Sequence, residues 1–195
     1  MSSTNRSRSR ESHIADYYVT PISKINEFLD AFIEVEGNIF EKGKILDPCA
    51  GGDETHSMSY PTALMTHLNI PGENIHTIDI RDTSLAKEKG DYLQIDCKDK
   101  YQVIMTNPPF NISYEIINKA LEDVKDGGYC IFLLRLNYFG GKLRKPLWDN
   151  IMPKYTFVHN RRISFTDDRK TDSIEYQHMV FQKGYTEKHT KLFII

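Results

Sequence analysis

Four consecutive residues, Asn107, Pro108, Pro109 and Phe110, have the types and the order that amine chemistry needs. They follow an apolar run at 101–106, so we expect them where a buried strand ends. An exocyclic amine on a base or an amide is a poor nucleophile, because its lone pair is delocalised into the neighbouring π-system. The Asn107 amide oxygen and the Pro108 carbonyl can accept both amine hydrogens, which leaves the nitrogen facing a methyl donor. Phe110 offers a flat face for a base taken out of its stack. The alternative is a proline-stiffened loop without a chemical role.

A glycine-containing segment at 47–53 is the second place where the sequence suggests a binding site. It reads Asp-Pro-Cys-Ala-Gly-Gly-Asp and follows an apolar stretch at 44–46 that we predict to be a short buried strand. Ligands of open α/β sheets bind outside the carboxyl ends of the strands, and glycines let a ligand approach the backbone closely. We therefore expect a nucleotide-like group to bind at this loop.

Acidic residues at the end of the predicted strand 75–78 and before the predicted strand 101–106 are candidates for contacts to the same group. Asp79 follows the predicted strand 75–78 and can accept hydrogen bonds from ribose hydroxyls, the alternative being an ordinary surface carboxylate. Asp91 can accept a hydrogen bond from an adenine amino group, while Tyr92 or a neighbour packs on the ring. Asp96 is a competing candidate for that contact.

The elements that must position these residues begin with a helix. Apolar residues recur at the spacing of one helix face from Ile22 to Ile33. Thr20 is a suitable N-cap, Pro21 a suitable first helical residue, and Gly37 a suitable end.

Strand and helix signals alternate after this helix. We predict strands at 44–46, 75–78, 101–106 and 129–136 and helices at 61–68 and 113–126, the last ended by the glycines at 127–128. Two more strand-like segments, 155–165 and 173–182, have no room for a helix between them, so they should pair as a hairpin. This order predicts an α/β fold with a mostly parallel, seven-stranded sheet, a C-terminal antiparallel hairpin and helices on both faces.

The composition is that of one ordinary globular domain. The 195 residues are 39% hydrophobic and 27% charged, with a net charge of −2, so any contact to nucleic acid must be local. The polar, low-complexity start predicts a disordered tail at 1–13, followed by a single domain at 14–195. No apolar run approaches the ~20 residues of a membrane span, and we expect a soluble, cytoplasmic protein. We interpret Cys49, Cys97 and Cys130 as buried, reduced thiols.

Five motifs occur in a particular order along the chain. They are Tyr-Tyr-Val-Thr-Pro at 17–21, Asp-Pro-Cys-Ala-Gly at 47–51, Ile-Asp-Ile-Arg-Asp at 78–82, Gly-Asp-Tyr-Leu at 90–93 and Asn-Pro-Pro-Phe at 107–110. In this order they resemble the donor-binding and catalytic motifs of S-adenosylmethionine-dependent DNA adenine-N6 methyltransferases, especially the small phage-type enzymes. The resemblance implies a Rossmann-like class I methyltransferase fold, S-adenosyl-L-methionine as cofactor, DNA as substrate and no metal. It also implies a phage-encoded enzyme of DNA modification that acts in the host cytoplasm.

The resemblance assigns roles to individual residues. Catalysis falls to Asn107, Pro108, Pro109 and Phe110. Binding of the methyl donor falls to Tyr18, Thr20, Pro21, Asp47, Pro48, Gly51, Asp79, Asp91, Tyr92 and Asn107.

Two departures from the family pattern bear on these roles. The second glycine of the first loop normally stands two positions after the first, whereas here Gly51 and Gly52 are adjacent and Asp53 has the expected place. The chain also has no segment long enough for a separate target-recognition domain, so sequence readout must come from loops.

Two basic segments are candidates for that readout. Residues 138–146 combine aromatic, glycine and basic residues, a mix suited to phosphate contact and base stacking, with a solvated connector as the alternative. Trp148, just beyond, is interpreted as a core anchor. The predicted DNA contacts are Tyr138, Lys142, Arg144 and Lys145 and, beside the hairpin, Arg162, Arg169 and Lys170.

Other functions remain open at this point. Asn-Pro-Pro followed by an aromatic residue also serves methylation of protein glutamine and of guanine in RNA, although the motifs at 17–21 and 162–165 favour DNA. A protein that keeps the donor fold but binds nucleic acid without catalysis is the alternative from another class.

Overall fold

The computed structural model describes residues 18–165 and 173–195, so the predicted tail at 1–13 lies outside the described residues. Within them the chain forms a sheet of eight strands. The strands are β1 (Ile45–Asp47), β2 (Ile75–Asp79), β3 (Glu88–Lys89), β4 (Tyr101–Thr106), β5 (Val124–Arg135), β6 (Tyr155–Val158), β7 (Tyr176–Gln182) and β8 (Lys191–Ile194). Their order across the sheet is β3-β2-β1-β4-β5-β7-β6-β8, and only β7 among these strands runs antiparallel to its neighbours. The predicted mostly parallel sheet with a C-terminal antiparallel pair is confirmed.

The number of strands is a correction, since eight strands replace the seven that were predicted. The additional β3 has two polar residues, Glu88 and Lys89, and therefore gives no apolar signal. The additional β8 lies at the sheet edge beside β6, with Leu192 and Ile194 exposed, so its side chains do not alternate between core and solvent. The hairpin strands β6 and β7 are also shorter than the segments predicted for them.

Helices cover both faces of the sheet. Helices α1 (Ile22–Glu36) and α2 (Ser59–His67) pack on one face, and α3 (Ser113–Asp123) and α4 (Lys145–Asn150) pack on the other. Successive residues of a buried strand point to opposite faces. Accordingly, Val103 and Met105 of β4 join the core beneath α1, whereas Ile104 joins the core beneath α3. Trp148 packs against this second core, with its ring stacked on Phe181, as expected of a core anchor.

The start of α1 differs from the prediction. Pro21 occupies the N-cap position rather than the first turn, and no side chain of the described residues caps this end. The hydroxyl of Thr20 accepts a hydrogen bond from the Asn107 amide, with 3.2 Å between Oγ1 and Nδ2, so it is used in the loops at the sheet edge. Gly37 does end the helix, with a φ of 80° and its N–H donated to the Ile33 carbonyl.

The end of α3 is a second correction. The helix stops at Asp123, and β5 begins at once with Val124, so the glycines lie inside a strand. The pairing of β5 with β4 shifts register in this stretch. Gly127 has a φ of 73°, and a Cβ on Gly128 would lie 2.7 Å from the Gln102 carbonyl. The two glycines therefore allow a strand irregularity and a close strand contact rather than a helix end.

The strand order places a ligand-binding position at one edge of the sheet. From β1 the chain moves outward to β2 and β3 and then crosses back to β4 on the other side of β1. Crevices at such reversals, outside the carboxyl ends of the strands, are where open α/β sheets bind ligands. The loops at 48–53, 80–87 and 107–112 leave from this edge.

Two of the predictions from composition can be compared with the described residues. Each helix found there is too short or too polar to cross a membrane. The three cysteines are free thiols, but only Cys97 and Cys130 are buried, and Cys49 is half-buried.

Candidate functional site

A cleft open to solvent lies at the carboxyl ends of β1, β2 and β4. Nine predicted site residues line it: Tyr18, Thr20, Pro48, Asp79, Asp91, Tyr92, Asn107, Pro108 and Pro109. Four do not: Pro21, Asp47, Gly51 and Phe110. Ten further residues line the cleft although the sequence analysis did not predict them there: Cys49, Ala50, Ser59, Tyr60, Ile80, Arg81, Gly90, Leu93, Ile112 and Ile116.

Asp79 joins the first two loops of the cleft. One carboxylate oxygen accepts the Gly51 N–H at 2.8 Å, and the other accepts the Arg81 N–H at 2.8 Å and Nε at 3.2 Å. Asp79 is 6% exposed and lines the cleft. The oxygen that holds Gly51 has lone-pair capacity left for a ligand hydroxyl.

The adjacent glycines of the first loop adopt a compact turn. Gly51 and Gly52 have φ values of 67° and 77°, which glycine adopts at little cost. A Cβ on Gly52 would lie 2.9 Å from Cγ of Met58. Asp53, which stands at the usual place of the second glycine, accepts hydrogen bonds from Thr55 and from His56, and these bonds lower its pKa to about 2. Asp53 therefore shapes the turn that leads to α2 and does not line the cleft.

Asp47 lies behind this loop rather than in the wall of the cleft. One of its oxygens accepts the Cys49 N–H at 3.2 Å. Burial raises the pKa of Asp47 to about 7 and the negative charge of Asp79 acts in the same direction, while the Thr106 hydroxyl and the Cys49 N–H act in the opposite one. Asp47 is therefore a buried carboxyl group that supports the loop from the end of β1.

The structure separates the two candidates for the adenine contact. Asp91 lines the cleft, and its side chain accepts the Leu93 N–H at 3.0 Å at the start of a 3₁₀ turn, Tyr92–Gln94. Asp96 is exposed, accepts the Lys98 N–H and lies off the cleft. Tyr92 borders the cleft, but its hydroxyl donates to Asp123 at 2.8 Å, which fixes the ring in the core beneath α3.

The Asn107 amide is held by one hydrogen bond. Its Nδ2 donates to Thr20 Oγ1 at 3.2 Å, and its Oδ1 has no partner among the residues that the structure describes. In the same loop the carbonyls of Pro109 and Phe110 accept hydrogen bonds, from Ile112 N and Ser113 Oγ. The Pro108 carbonyl accepts neither of these bonds.

Phe110 is more enclosed than the sequence analysis expected. The guanidinium carbon of Arg135 lies 4.7 Å from its ring centroid, and the rings of Tyr18 and Tyr176 lie about 6 Å away. The Arg135 Nε is buried without a hydrogen-bond partner in the described chain. Phe110 can therefore offer at most one free face to a base. Arg135, at the end of β5, is a neighbour of Phe110 that no sequence signal indicated.

Some of the missed residues do have a signal in the sequence. Ile80 follows Asp79 directly and is 45% exposed, although it is apolar. Together with Ile112 and Ile116 it forms apolar cleft wall that can pack against a flat ring. An apolar residue directly after an acidic strand end is the pattern that could have identified it.

The basic loop at 138–146 is corrected in one respect. Tyr138 is 5% exposed, and Arg144 covers its ring at 4.3 Å and donates to its carbonyl at 3.2 Å. Tyr138 therefore has no free face for a base, and Arg144 holds the loop together. Lys142 and Lys145 are exposed, and Lys145 pairs with Asp149 on the same short helix.

The second basic segment is described only in part. Arg162 forms an exposed ion pair with Glu175 at 3.2 Å. Arg169 and Lys170 lie outside the described residues.

Similar solved structures have one fold in common with this chain. A protein of Listeria monocytogenes described as a class I S-adenosylmethionine-dependent methyltransferase has a TM-score of 0.65 and 16% identity, over 91% of this chain and 65% of that one. The methyltransferase subunit of a type I restriction-modification system from Streptococcus thermophilus has a TM-score of 0.64 and 13% identity, over 94% and 49%. The M protein of the type I restriction enzyme EcoKI has a TM-score of 0.52 and 15% identity, over 76% and 42%.

The chain thus has the class I methyltransferase fold, a mixed α/β sheet with helices on both faces. At identities this low the likeness is one of fold, and the chain spans between 42% and 65% of the length of these three proteins. The sequence itself matches no protein-family model and no curated protein.

Proposed function

We propose that this protein transfers the methyl group of S-adenosylmethionine to the exocyclic N6 nitrogen of adenine in DNA. The observation that carries the proposal is the Asn107 amide, whose nitrogen is anchored on Thr20 and whose oxygen lacks a partner in the described residues. Asn107 lines a cleft with the acidic and apolar residues that a nucleoside requires. Buried side-chain acceptors are ordinarily hydrogen-bonded, so an unused one in a residue that lines the cleft is available to a substrate donor.

The cleft residues fit the parts of the methyl donor. Asp79 is placed to accept from the ribose hydroxyls, and Asp91 to accept from the adenine amino group. Ile80 provides an apolar surface for the purine ring. Thr20 and Pro48 border the same space.

The proposed reaction forms one bond and breaks one bond. Bound S-adenosylmethionine supplies the methyl group: a bond forms from the substrate nitrogen to the methyl carbon while the bond from that carbon to sulfur breaks. Asn107 Oδ1 and the Pro108 carbonyl accept the two N–H groups, so that the lone pair turns out of the base plane toward the donor. Positive charge grows on the nitrogen during transfer, and two oriented carbonyl dipoles stabilise it. The nitrogen then loses one proton to water.

DNA as the substrate requires that the adenine leave its stack, because its amino group cannot reach a cleft from inside the duplex. Contacts to the DNA backbone are assigned to Lys142, Lys145 and Arg162, with Arg169 and Lys170 on the segment between β6 and β7. Two of the similar structures belong to restriction systems, which supports this choice of substrate.

The test is incubation of the protein with labelled S-adenosylmethionine and, separately, with DNA, RNA and protein, followed by mass spectrometry of the digested products. N6-methyladenine from DNA is the expected product. Methylcytosine would refute the base assignment, and labelled RNA or glutamine without labelled DNA would refute the substrate.

The role of Asn107 is tested in the same assay. Asn107→Ala should slow methyl transfer by on the order of a hundredfold, because one oriented acceptor is lost in the transition state, while donor affinity persists. Asn74→Ala, at an exposed position in a turn before β2, is the matched control and should keep the wild-type rate. A rate near the wild-type value in Asn107→Ala would show that the mechanism is wrong.

A further inference from the structure

A chain of buried polar groups leads from the candidate catalytic amide into the core. Asn107 Nδ2 donates to Thr20 Oγ1 at 3.2 Å. The Thr20 side chain also lies beside Tyr60 in the wall of the cleft, where it acts to lower the pKa of the Tyr60 hydroxyl as a hydrogen-bonding neighbour. The Tyr60 hydroxyl lies 3.1 Å from His178 Nε2, and His178 Nδ1 lies 2.9 Å from His159 Nε2. Thr20, Tyr60, His178 and His159 are all at most 3% exposed. Buried polar groups of this kind form one cooperative network.

Each member of this chain has little freedom to change partners. The His178 ring is stacked on Phe28 of α1, with centroids 4.2 Å apart and planes 19° apart. Burial holds the pKa of His178 well below its ordinary value and lowers that of His159 to about 4, so both rings are neutral at pH 7. Burial likewise raises the pKa of Tyr60, which therefore keeps its proton. Each neutral imidazole has one donor nitrogen and one acceptor nitrogen.

Two directions of donation run without interruption through all of these groups. In the first, Asn107 N–H donates to Thr20, Thr20 to Tyr60, Tyr60 to His178 Nε2, and His178 Nδ1–H to His159. In the second, every proton points the other way, and Thr20 donates to the Asn107 oxygen. The Asn107 amide is then turned round and presents its NH₂ group to the substrate.

The two directions differ in what they leave unpaired at the catalytic end. The first leaves the Asn107 oxygen as a vacant acceptor, which is the arrangement in the structure. An incoming amine N–H fills that vacancy, whereas it would clash with an NH₂ group that can only donate. At the other end His159 Nδ1 has no partner among the described side chains, and in the first direction it carries the proton.

We propose that Tyr60 and His178 are positioning residues, which act through Thr20 to hold the Asn107 amide with its oxygen toward the substrate amine. The effect on catalysis rests on the proposed function, but the direction of the chain does not. Neither residue contacts the methyl group or the amine nitrogen in this scheme.

The direction can be measured without any substrate. Long-range ¹H–¹⁵N correlation spectra of the histidine rings, assigned with a His178→Gln variant, report which nitrogen carries the proton. The proposal expects the proton of His178 on Nδ1 and a bare Nε2. A proton on Nε2 would overturn it, whether or not the protein methylates DNA.

Kinetics tests the second half of the proposal. Tyr60→Phe should slow single-turnover transfer about five- to tenfold, the value of one oriented hydrogen bond, because the Thr20 proton loses its acceptor. The ring stays in place, so donor affinity should hold. In an Asn107→Ala background, Tyr60→Phe should change the single-turnover rate by less than about twofold, because the amide that Tyr60 helps to position is absent. Equal losses in both backgrounds would show a general structural role and refute the positioning role.

Matched variants distinguish a loss of positioning from a loss of folding. His178→Gln keeps an acceptor near the Nε2 position and should retain more activity than His178→Leu, with melting temperature recorded for both. Tyr185→Phe removes a surface hydroxyl that donates to the His189 carbonyl, and it should leave the rate unchanged. If the Leu variant is as active as the Gln variant, the chain does not orient Asn107.

Discussion

Replacing Asp79 with alanine removes the carboxylate that links the glycine loop to the end of β2. In the free protein this carboxylate accepts hydrogen bonds from the Gly51 N–H and the Arg81 N–H, both at 2.8 Å, and from Arg81 Nε. Gly51 is buried, so its N–H would lose its partner at a cost of about 1–3 kcal/mol to the free energy of unfolding. A lower melting temperature is therefore expected before any ligand is added.

The larger expected effect is on the methyl donor. Hydrogen bonds to a charged group contribute about 1.5–3 kcal/mol each, so the loss of one ribose contact should raise the dissociation constant roughly 10- to 100-fold. S-adenosylmethionine and S-adenosylhomocysteine share the ribose, so calorimetry should show equal losses for both.

The control for Asp79→Ala is Asp82→Ala, three positions along, where the carboxylate is exposed and lies off the cleft. It should bind both ligands like the wild type. If a folded Asp79→Ala protein bound both ligands with unchanged affinity, Asp79 would not be in the donor site and the placement of the ribose would be wrong.

Three further predictions concern single features of the molecule. Asp91→Ala should weaken donor binding by about 1–3 kcal/mol because the adenine amino group loses an acceptor, whereas Asp96→Ala should not change it. Neutralising Lys142 and Lys145 together should reduce the steepness of a plot of log DNA-binding constant against log salt concentration by up to about 2, the value for two phosphate contacts. Raising the pH from about 4 to about 7 should lower the free energy of unfolding of the wild type by on the order of 4 kcal/mol more than that of Asp47→Asn. The reason is that folding moves the pKa of Asp47 from 3.8 to about 7.

The sign of the pH effect follows from proton binding. Between these pH values the unfolded chain has lost the Asp47 proton while the folded protein retains it, so rising pH favours unfolding. Urea titrations at several pH values measure the effect. The same dependence of the free energy of unfolding on pH in the wild type and in Asp47→Asn would contradict it.

The control for the salt dependence of DNA affinity is to neutralise Lys98 and Lys125 together, two exposed lysines that lie before β4 and early in β5. A slope that stayed at the wild-type value in the Lys142 and Lys145 variant would place the DNA surface elsewhere.

Much of the fold could be predicted from the sequence because its signals are local. The apolar run at 101–106 coincides with β4, and Gly37 ends α1, since both depend on the side chains of the segment itself. The boundary at 123–128 failed for a different reason. Glycines there would ordinarily end a helix, but the pairing of β5 with β4 demands a close approach that only glycine permits.

For the site, the chemical types and their order along the chain were determined by the sequence alone. An amide, a carboxylate or a glycine after a strand predicts a binding edge, because parallel strands bring their carboxyl ends together. Asp79 and Asn107 were identified in this way, and Asp91 by its motif before the strand at 101–106; all three line one cleft.

Only the tertiary structure decided how those groups are supported. The choice between Asp91 and Asp96 depends on which loop faces the cleft, and the burial of Tyr138 depends on Arg144 folding over its ring. The chain from Thr20 through Tyr60 to His178 joins residues up to 158 positions apart, from 20 to 178, on α2, β7 and the segment before α1. Hydrogen bonds of this kind depend on positions in space that only the packed sheet and helices create, so no pattern along the sequence could indicate them.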